Sequence, residues 1–278
     1  SPVWEQYSPW DYRFRELLSK VESGAAKPAY KVQSLIATIL GDTKLPARPG
    51  GQKSLISLEQ VQELKEKLKP GDIILERRNW YLSNAFLPGF WPHAALYVGT
   101  AEYLEGRGLK DDEFVGPKLA RFKETAHDGH EHRVIEALSE GVVFSSLEEA
   151  TLADYIAVLR PKLAEKQINE GISKAFSHHG KPYDFEFDFF STDKIVCTEL
   201  VYRSYDGRIR FGLIDVLGRR TLPAIEIVTK FAKEHQSPEA ELEFVLFLDG
   251  DEDNGNANYS TLEEFINSVD RSAFTWLN

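Results

Sequence analysis

The chain has one cysteine and no methionine among its 278 residues, and it carries only 33 basic residues against 44 acidic ones. A single cysteine excludes an intramolecular disulfide and a metal site built from several cysteines. The net charge of −11 repels nucleic acid and anionic membrane surfaces, so neither is an expected partner. No apolar run approaches the roughly 18 residues that span a bilayer, and the sequence therefore predicts no integral membrane segment.

The chain does contain enough apolar material for a sizeable core. Hydrophobic residues make up 42% of it and aromatic residues 12%, and the length allows one elaborated domain or one domain with an appendage. The chain begins Ser-Pro-Val, with no initiator methionine and no signal-peptide pattern. We therefore expect a packed globular domain that is either cytoplasmic or exported.

Hydrophobic periodicity predicts helices towards both ends of the chain and strands between them. The predicted helices are 7–22, 27–41, 55–69, 163–178, 197–205, 223–234 and 261–269, with a short helical turn at 147–150. The predicted strands are 72–76, 94–98, 133–137, 142–144, 155–159 and 243–248. Ser57 and Gln60 predict a capping box for the third helix. Helices followed by a mainly antiparallel sheet and further helices indicate an α+β fold.

The single cysteine, Cys197, begins one of these amphipathic helices. A thiol attacks a carbonyl only as the thiolate, which requires a base within hydrogen-bond reach and an electropositive setting. The first turn of a helix supplies unpaired N–H groups that favour negative charge and can also stabilise an oxyanion. Cys197 is therefore a candidate nucleophile, although a lone cysteine is more commonly a small buried hydrophobic side chain.

Two polar residues in strand-like segments could serve this thiol. His93 stands at the start of an apolar strand, where its ring can project into a cleft and act as a base. The alternative is a structural histidine bonded to a neighbouring carbonyl. Glu136 lies in mid-strand and could accept the imidazole N–H, which would fix the tautomer of His93. The alternative for Glu136 is a solvated strand face or an ion pair with Arg133.

Five short segments follow one another between about residues 70 and 205. They are Gly71-Asp-Ile-Ile-Leu75, Pro92-His-Ala-Ala-Leu-Tyr-Val-Gly99, Val134-Ile-Glu-Ala137, Gly180-Lys-Pro-Tyr-Asp-Phe185 and Val196-Cys-Thr-Glu-Leu-Val-Tyr202. In this order they resemble the permuted papain-like amidases of the YiiX-like group, which is related to NlpC-type peptidases and lecithin:retinol acyltransferase-like enzymes. Ordinary NlpC-type enzymes have the cysteine helix before the histidine strand. Here the strand of His93 comes first and the helix of Cys197 last, as in the permuted form.

The resemblance implies a circularly permuted, NlpC-type papain-like core with Cys197 as nucleophile, His93 as base and Glu136 as the third polar residue. Acidic residues close to these segments in sequence compete for that third role, namely Glu102, Glu105 and Glu140. The implied division is an N-terminal helical extension at 1–69 and a catalytic domain at 70–278 with a C-terminal decoration.

The activity implied by the resemblance is that of a cysteine peptidase or amidase-type hydrolase that works through an acyl-enzyme. Such a site needs no cofactor and no metal, and its substrate would be a small-molecule, peptide or lipid-like acyl compound. Two alternatives stay open on the same residues. The acyl-enzyme could pass its acyl group to an acceptor, as in an acyltransferase, or the fold could serve a non-catalytic lipid-binding or ligand-binding protein. The oligomeric state is not predicted.

Three further motifs each allow two interpretations. An apolar cluster precedes His93 and could line a pocket or roof the core, and it consists of Trp80, Tyr81, Phe86, Leu87, Phe90 and Trp91. His127, His130 and His132 could bind a transition metal, but their spacing favours a polar loop. Tyr183 and Asp184 could support the loop of Cys197 or form a turn after a helix.

The segment from Asp249 to Asn256 is rich in Asp and Asn and resembles a calcium-binding loop. Counting from Asp249, however, the sixth position is Asn254 and the twelfth is Ser260, where such a loop needs Gly and Glu. The segment is therefore predicted to be an acidic turn.

Overall fold

The computed structural model describes residues 54–79, 89–185, 189, 193–216 and 219–272. The predicted helices at 7–22 and 27–41 lie outside these residues, as does most of the apolar cluster before His93. The division into an extension at 1–69 and a domain at 70–278 stays a prediction. Within the described residues, none of the helices is long and apolar enough to cross a membrane.

The described part of the chain forms helices and strands in an α+β arrangement, as the sequence predicts. The helices are α1 (Leu58–Lys67), α2 (Ala101–Gly106), α3 (Gly116–Phe122), α4 (Leu147–Ala150), α5 (Glu165–His178), α6 (Cys197–Ser204), α7 (Ala224–Glu234) and α8 (Leu262–Asn267), with 3₁₀ turns at Leu109–Asp111 and Ser268–Asp270. The strands are β1 (Ile73–Arg77), β2 (His93–Tyr97), β3 (His132–Leu138), β4 (Gly141–Ser146), β5 (Tyr155–Pro161), β6 (Ile214–Val216), β7 (Arg219–Thr221), β8 (Leu242–Asp251) and β9 (Asn256–Ser260).

Seven of these strands form one sheet in the order β4-β3-β2-β1-β5-β8-β9, and β6 pairs with β7 in a separate hairpin. Every neighbouring pair in the large sheet is antiparallel. Strand β1 lies at the centre and is buried at all five positions. Its first three residues, Ile73, Ile74 and Leu75, are all apolar, because both faces of this part of the strand are buried.

Both faces of the sheet are covered. Side chains of successive strand residues point to opposite faces, so Ile73 packs into a core with helices α5, α6 and α7, whereas Ile74 packs into a second core. That second core includes Val61 and Leu64 of α1 together with Leu147 of α4. Helix α6 lies on β2 and β3 and packs against α5, which places its first residue beside the start of β2.

Local sequence signals account for several element boundaries. The backbone N–H of Gln60 donates to Ser57 Oγ at 3.2 Å, and the N–H of Ser57 donates to Gln60 Oε1 at 2.9 Å, so the predicted capping box of α1 is confirmed. The short helix α4 has the predicted bounds, and Ser146 caps it. The predicted acidic turn is shorter than expected: residues 252–255 form the turn of the β8–β9 hairpin, whereas Asp249–Asp251 belong to β8 and Asn256 to β9.

The sequence prediction missed α2, α3, β6, β7 and β9. Helices α2 and α3 have only six and seven residues, too few to display a clear amphipathic period. Strand β9 has the sequence Asn-Ala-Asn-Tyr-Ser, which is poor in strand-forming residues. Its pairing with β8 supplies a strand conformation that its own residues do not indicate.

Strand β4, at the edge of the sheet, contacts the segment that leads to Cys197. The N–H of Val142 in β4 donates to the Lys181 carbonyl at 2.8 Å, and the N–H of Gly180 donates to the Val142 carbonyl at 2.9 Å. Gly141 permits this approach because its φ is +115° and a Cβ there would lie 2.4 Å from the Lys181 oxygen. The segment after Lys181 is thereby held beside β4 before it reaches Tyr183.

Candidate active site

Three adjacent strands bring one histidine and two carboxylates together. Glu76 near the end of β1 lies directly opposite His93 at the start of β2. His93 Nε2 is 3.0 Å from Glu136 Oε2 and 3.6 Å from Glu76 Oε1. Because Nε2 faces these carboxylates, Nδ1 is the ring nitrogen available to a group on the other side. The His93 side chain keeps 17% of its surface exposed, so solvent and small molecules can reach it.

The thiol of Cys197 lies against the His93 ring. Cys197 is the first residue of α6 and is 5% exposed. Burial alone would raise the pKa of the thiol. The charge of His93, its hydrogen bond and the backbone N–H groups of Ala94 and Thr198 outweigh burial and bring the pKa of Cys197 below its ordinary value. The surroundings therefore favour a thiolate.

The pKa of His93 moves in the complementary direction. Burial would lower it, but the charge and hydrogen bond of Cys197, the hydrogen bond of Glu136 and the charge of Glu76 raise it well above the usual value. A lowered thiol pKa beside a raised imidazole pKa favours transfer of the thiol proton to the ring, which would give a thiolate–imidazolium pair. Such a pair is a nucleophile with its proton already transferred.

Glu136 is suited to hold the His93 ring in place. It is 1% exposed, and its pKa is lowered although burial acts in the opposite direction. The hydrogen bond and charge of His93, the hydroxyl of Ser145 and the charge of Arg78 produce this lowering. A carboxylate that stays charged next to Nε2–H fixes the tautomer and stabilises the imidazolium.

The other acidic candidates for this third role contact different groups. Glu105 Oε1 is 2.6 Å from Lys123 Nζ. Glu140 accepts a hydrogen bond from Ser139 at 3.0 Å. Glu102 is in the first turn of α2, where its pKa is lowered by its own backbone N–H and the hydroxyl of Thr100. The structure therefore brings Glu136 to His93 and leaves these residues elsewhere.

Tyr183 joins the site, a role that the sequence left undecided. A parallel bridge pairs Tyr183 with Ile195. In this bridge the Asp184 N–H donates to the Ile195 carbonyl at 3.1 Å, and the Ile195 N–H donates to the Pro182 carbonyl at 3.1 Å. This pairing places the half-buried Tyr183 ring beside Cys197. Burial, the thiolate charge and a hydrogen bond to Cys197 raise the pKa of Tyr183 well above its usual value. Its hydroxyl keeps its proton and can donate it in a hydrogen bond.

Glu76 is the one member of the cluster that the sequence analysis did not single out. It is 4% exposed, and Arg78 Nη2 lies 3.4 Å from both of its carboxylate oxygens. Burial raises the pKa of Glu76 and the charge of Glu136 adds to this, while Arg78 and His93 act against it. The available signal was a glutamate directly after the apolar run Ile73–Leu75, where burial forces it to find partners.

Two groups of described residues place possible metal ligands within 4.8 Å of one another, namely Glu76–His93–Glu136 and Asp128–His130–Glu148. The first is the candidate site itself, where hydrogen bonds and ion pairs already join the three side chains. In the second, the Lys65 ammonium contacts the Glu148 carboxylate and His130 Nδ1 lies 3.3 Å from it.

The histidine-rich segment does not gather its three rings into this second group. Only His130 belongs to it. His132 is instead the first residue of β3, and its Nδ1 lies 3.1 Å from the carbonyl of Phe122, the last residue of α3. The structure therefore separates the three histidines: His127 and His130 lie in an exposed turn, as the polar-loop interpretation expects, whereas His132 belongs to β3.

Two members of the apolar cluster before His93 lie within the described residues, and both pack into the core. Phe90 and Trp91 are completely buried, and Trp91 Nε1 donates to Ser268 Oγ at 2.8 Å. Their rings meet edge to face with centroids 5.3 Å apart. For these two residues the core interpretation is confirmed over the pocket interpretation.

Comparison with known proteins identifies the family of the chain. A family model described as "Permuted papain-like amidase enzyme, YaeF/YiiX, C92 family" matches residues 67–241, which is more than half of the chain. Neither the curated proteins nor the solved structures include a significant match. The matched region contains Cys197, His93, Glu136 and Tyr183. The chain therefore belongs to the permuted papain-like amidases of the YaeF/YiiX, C92 family, and it is a hydrolase of the cysteine peptidase and amidase type.

Proposed function

We propose that this hydrolase cleaves an amide or ester bond through Cys197, His93 and Glu136, with a covalent acyl-enzyme intermediate. The observation that carries the proposal is the direct interaction between the Cys197 thiol and the His93 ring, which lowers the pKa of the thiol and raises that of the imidazole. A structural cysteine in an apolar core would have its pKa raised by burial instead.

In the proposed first half-reaction, His93 holds the proton of Cys197 as an imidazolium. The thiolate attacks the substrate carbonyl carbon, a C–S bond forms, and the π-electron pair moves to the oxygen. The tetrahedral intermediate then collapses as its C–N or C–O bond breaks. His93 gives its proton to the leaving amine or alcohol, which leaves a thioester on Cys197.

In the second half-reaction water takes the place of the leaving group. Neutral His93 removes a proton from the water as its oxygen attacks the thioester carbon. The C–S bond breaks, and the thiolate–imidazolium pair forms again with release of the carboxylic acid. Glu136 remains ionised throughout and holds Nε2–H, so the ring keeps the orientation that both proton transfers need.

The oxyanion requires hydrogen-bond donors near the thiolate. The backbone N–H of Thr198 at the start of α6 is directed at the Cys197 sulfur, and so is the hydroxyl of Tyr183. In the tetrahedral intermediate the substrate carbon is bonded to that sulfur, and the negative charge that develops on the oxygen of this carbon would lie close to both donors. We infer that these donors stabilise the oxyanion in both half-reactions.

The proposed substrates are small-molecule, peptide or lipid-like acyl compounds, and the chemistry requires no cofactor. A direct test is intact-mass spectrometry after incubation with activity probes that differ in their acyl group. Because the chain has a single cysteine, a cysteine adduct has only one possible position. We expect a stable adduct on the wild type, none on Cys197→Ala, and labelling of His93→Ala slowed by about 10⁴–10⁶-fold, the range found when one member of a nucleophile–base pair is lost.

His130→Ala is the matched control, because its ring is about half exposed and bonds to Glu148 outside the site. This variant should label at the wild-type rate. Wild-type labelling in His93→Ala would remove His93 from the mechanism, and absence of labelling by every probe would favour a non-catalytic binding protein. Transfer of the acyl group to an added amine or alcohol faster than hydrolysis would identify an acyltransferase.

A further inference from the structure

Glu76, the acidic residue opposite His93, is not accounted for by the proposed mechanism. Two buried carboxylates, Glu76 and Glu136, contact the same ring nitrogen of His93. Glu76 and Glu136 are 4% and 1% exposed, and oxygen atoms of both lie within 3.6 Å of His93 Nε2. A neutral imidazole offers a single N–H at that position. Hydrolases of the cysteine type need only one such acceptor to orient the ring.

The charges that surround this pair decide what the second carboxylate does. The charged groups that face Glu76 are Arg78 from its own strand end, His93 from β2 and Glu136 from β3. Arg78 makes only long contacts of 3.4 Å to Glu76 and also donates to the Glu149 carbonyl at 3.3 Å. One guanidinium therefore faces both buried carboxylates, and this arrangement favours a further positive charge beside them. A protonated His93 ring supplies it.

We propose that Glu76 is a positioning residue of the proposed thiol hydrolase, which brackets His93 Nε2 together with Glu136 and stabilises the imidazolium partner of the Cys197 thiolate. The inference rests on the proposed function, since it assigns a task only if Cys197 and His93 act as an ion pair. The geometric support is the β1–β2 register, which places Glu76 directly opposite His93. Glu76 does not touch the substrate in this account and acts through the ring.

The two carboxylates are not equivalent. Glu136 makes the shorter contact and has a lowered pKa, whereas the pKa of Glu76 is raised. Glu136 therefore orients the ring, and Glu76 adds charge that raises the pKa of His93. Removal of this charge should let the ring lose its proton at lower pH, so the ion pair would persist over a narrower pH range. A carboxylate that served only the fold through Arg78 would leave that range unchanged.

The test is the pH dependence of Cys197 alkylation by iodoacetamide, followed by intact mass and needing no substrate. An ion pair gives two transitions, the lower one from its formation and the upper one from deprotonation of His93. We expect Glu76→Gln to move the upper midpoint down by about one pH unit, a size typical of one nearby charge. Glu76→Asp keeps the charge but withdraws it by one methylene, and a smaller shift in the same direction is expected.

Glu140→Gln is the control, because it removes one carboxylate from an exposed position in the β3–β4 turn and should keep the wild-type midpoints. The inference is overturned if Glu76→Gln keeps the wild-type upper midpoint, or if the control shifts it equally. Should Glu76→Gln fail to fold by circular dichroism, Glu76→Asp decides, and an unshifted upper midpoint then overturns the inference. A single ordinary thiol transition in the wild type would instead contradict the Cys197–His93 pair and with it the proposed function.

Discussion

Strand β1 has a buried carboxylate close to each of its ends, and the two differ in how they are held. Asp72 immediately precedes the strand and accepts hydrogen bonds from Arg160 Nε and Nη2, both at 2.8 Å, and from the Lys69 N–H at 2.8 Å. Among the described residues, the contacts of Glu76 are 3.4 Å to Arg78 and 3.6 Å to His93. Burial raises the pKa of both groups.

The difference separates a structural carboxylate from one that belongs to a site. Both carboxylate oxygens of Asp72 accept hydrogen bonds from Arg160 or Lys69, so Asp72 has a structural role in the folded protein. The contacts of Glu76 are Arg78 and His93, and the protonation of His93 changes in the proposed reaction. The close pairing of Asp72 with Arg160 thus stabilises the fold at one end of β1. The longer contacts of Glu76 at the other end allow the proton on His93 to be transferred.

Of the two carboxylates that contact His93, Glu136 makes the shorter contact and is expected to have the larger effect on chemistry. Glu136→Gln removes the charge that stabilises the imidazolium and leaves an amide that can also hold the wrong tautomer. We expect the rate of acyl-probe labelling to fall about 10²–10⁴-fold, with the protein still folded. Stopped-flow or timed mass spectrometry of Cys197 labelling measures this rate. A variant that labels as fast as the wild type would contradict the role given to Glu136.

At Asp72 we expect the opposite result, a loss of stability with no change in the labelling rate. Asp72→Asn breaks the paired hydrogen bonds to Arg160, and we expect the free energy of unfolding to fall by about 3 kcal/mol. This is the low end for a buried ion pair, because the Arg160 side chain keeps 21% of its surface exposed. Urea titration followed by circular dichroism gives the loss. The labelling rate of the folded fraction should not change, and a parallel loss of reactivity would erase the distinction between the two ends of β1.

A smaller effect on chemistry is expected at Tyr183. Tyr183→Phe keeps the ring and removes the hydroxyl that donates to Cys197. A hydrogen bond to a charged group contributes about 1.5–3 kcal/mol, so labelling should slow roughly 10- to 150-fold. Tyr103→Phe is a matched control, since its hydroxyl bonds to Asn169 at 2.9 Å outside the site. Equal rates for the two variants would exclude Tyr183 from the reaction.

The smallest effect concerns a carboxylate at the surface. Burial would raise the pKa of Glu241, but hydrogen bonds from Lys230 and Arg210 lower it to about 2 from an ordinary 4.5. A group whose pKa is lowered on folding contributes stability above the ordinary value and loses it as the pH falls towards the folded value. Glu241→Gln should therefore flatten the loss of stability between about pH 4.5 and 2. Urea midpoints across this range measure the slope, and Glu239→Gln, an exposed neighbour, should keep the wild-type slope.

How much of the site is predictable from sequence depends on how locally each residue is encoded. Cys197 at a helix start and His93 at a strand start follow from local pattern, and the ordered motifs added Glu136. Glu76 depends on the register between β1 and β2, which no local signal specifies. Tyr183 depends on pairing between its own segment and Ile195, across residues that have no regular periodicity.

The same reasoning explains the fold. Elements with a full apolar period or a strong cap, such as α1 and α4, were predicted to within a few residues. The short helices between β2 and β3 and the polar strand β9 were missed, because partners elsewhere in the chain stabilise them. Tertiary contacts override weak local propensity in these segments.

The reactivity of the single cysteine in the native protein tests the central claim most directly. An ordinary thiol is almost fully protonated at about pH 6 and reacts slowly with iodoacetamide. If Cys197 is paired with His93 as a thiolate, the native protein should be alkylated at this pH faster than the same protein unfolded in urea. Alkylation that occurs only after unfolding would show a buried, inert cysteine and would contradict the account.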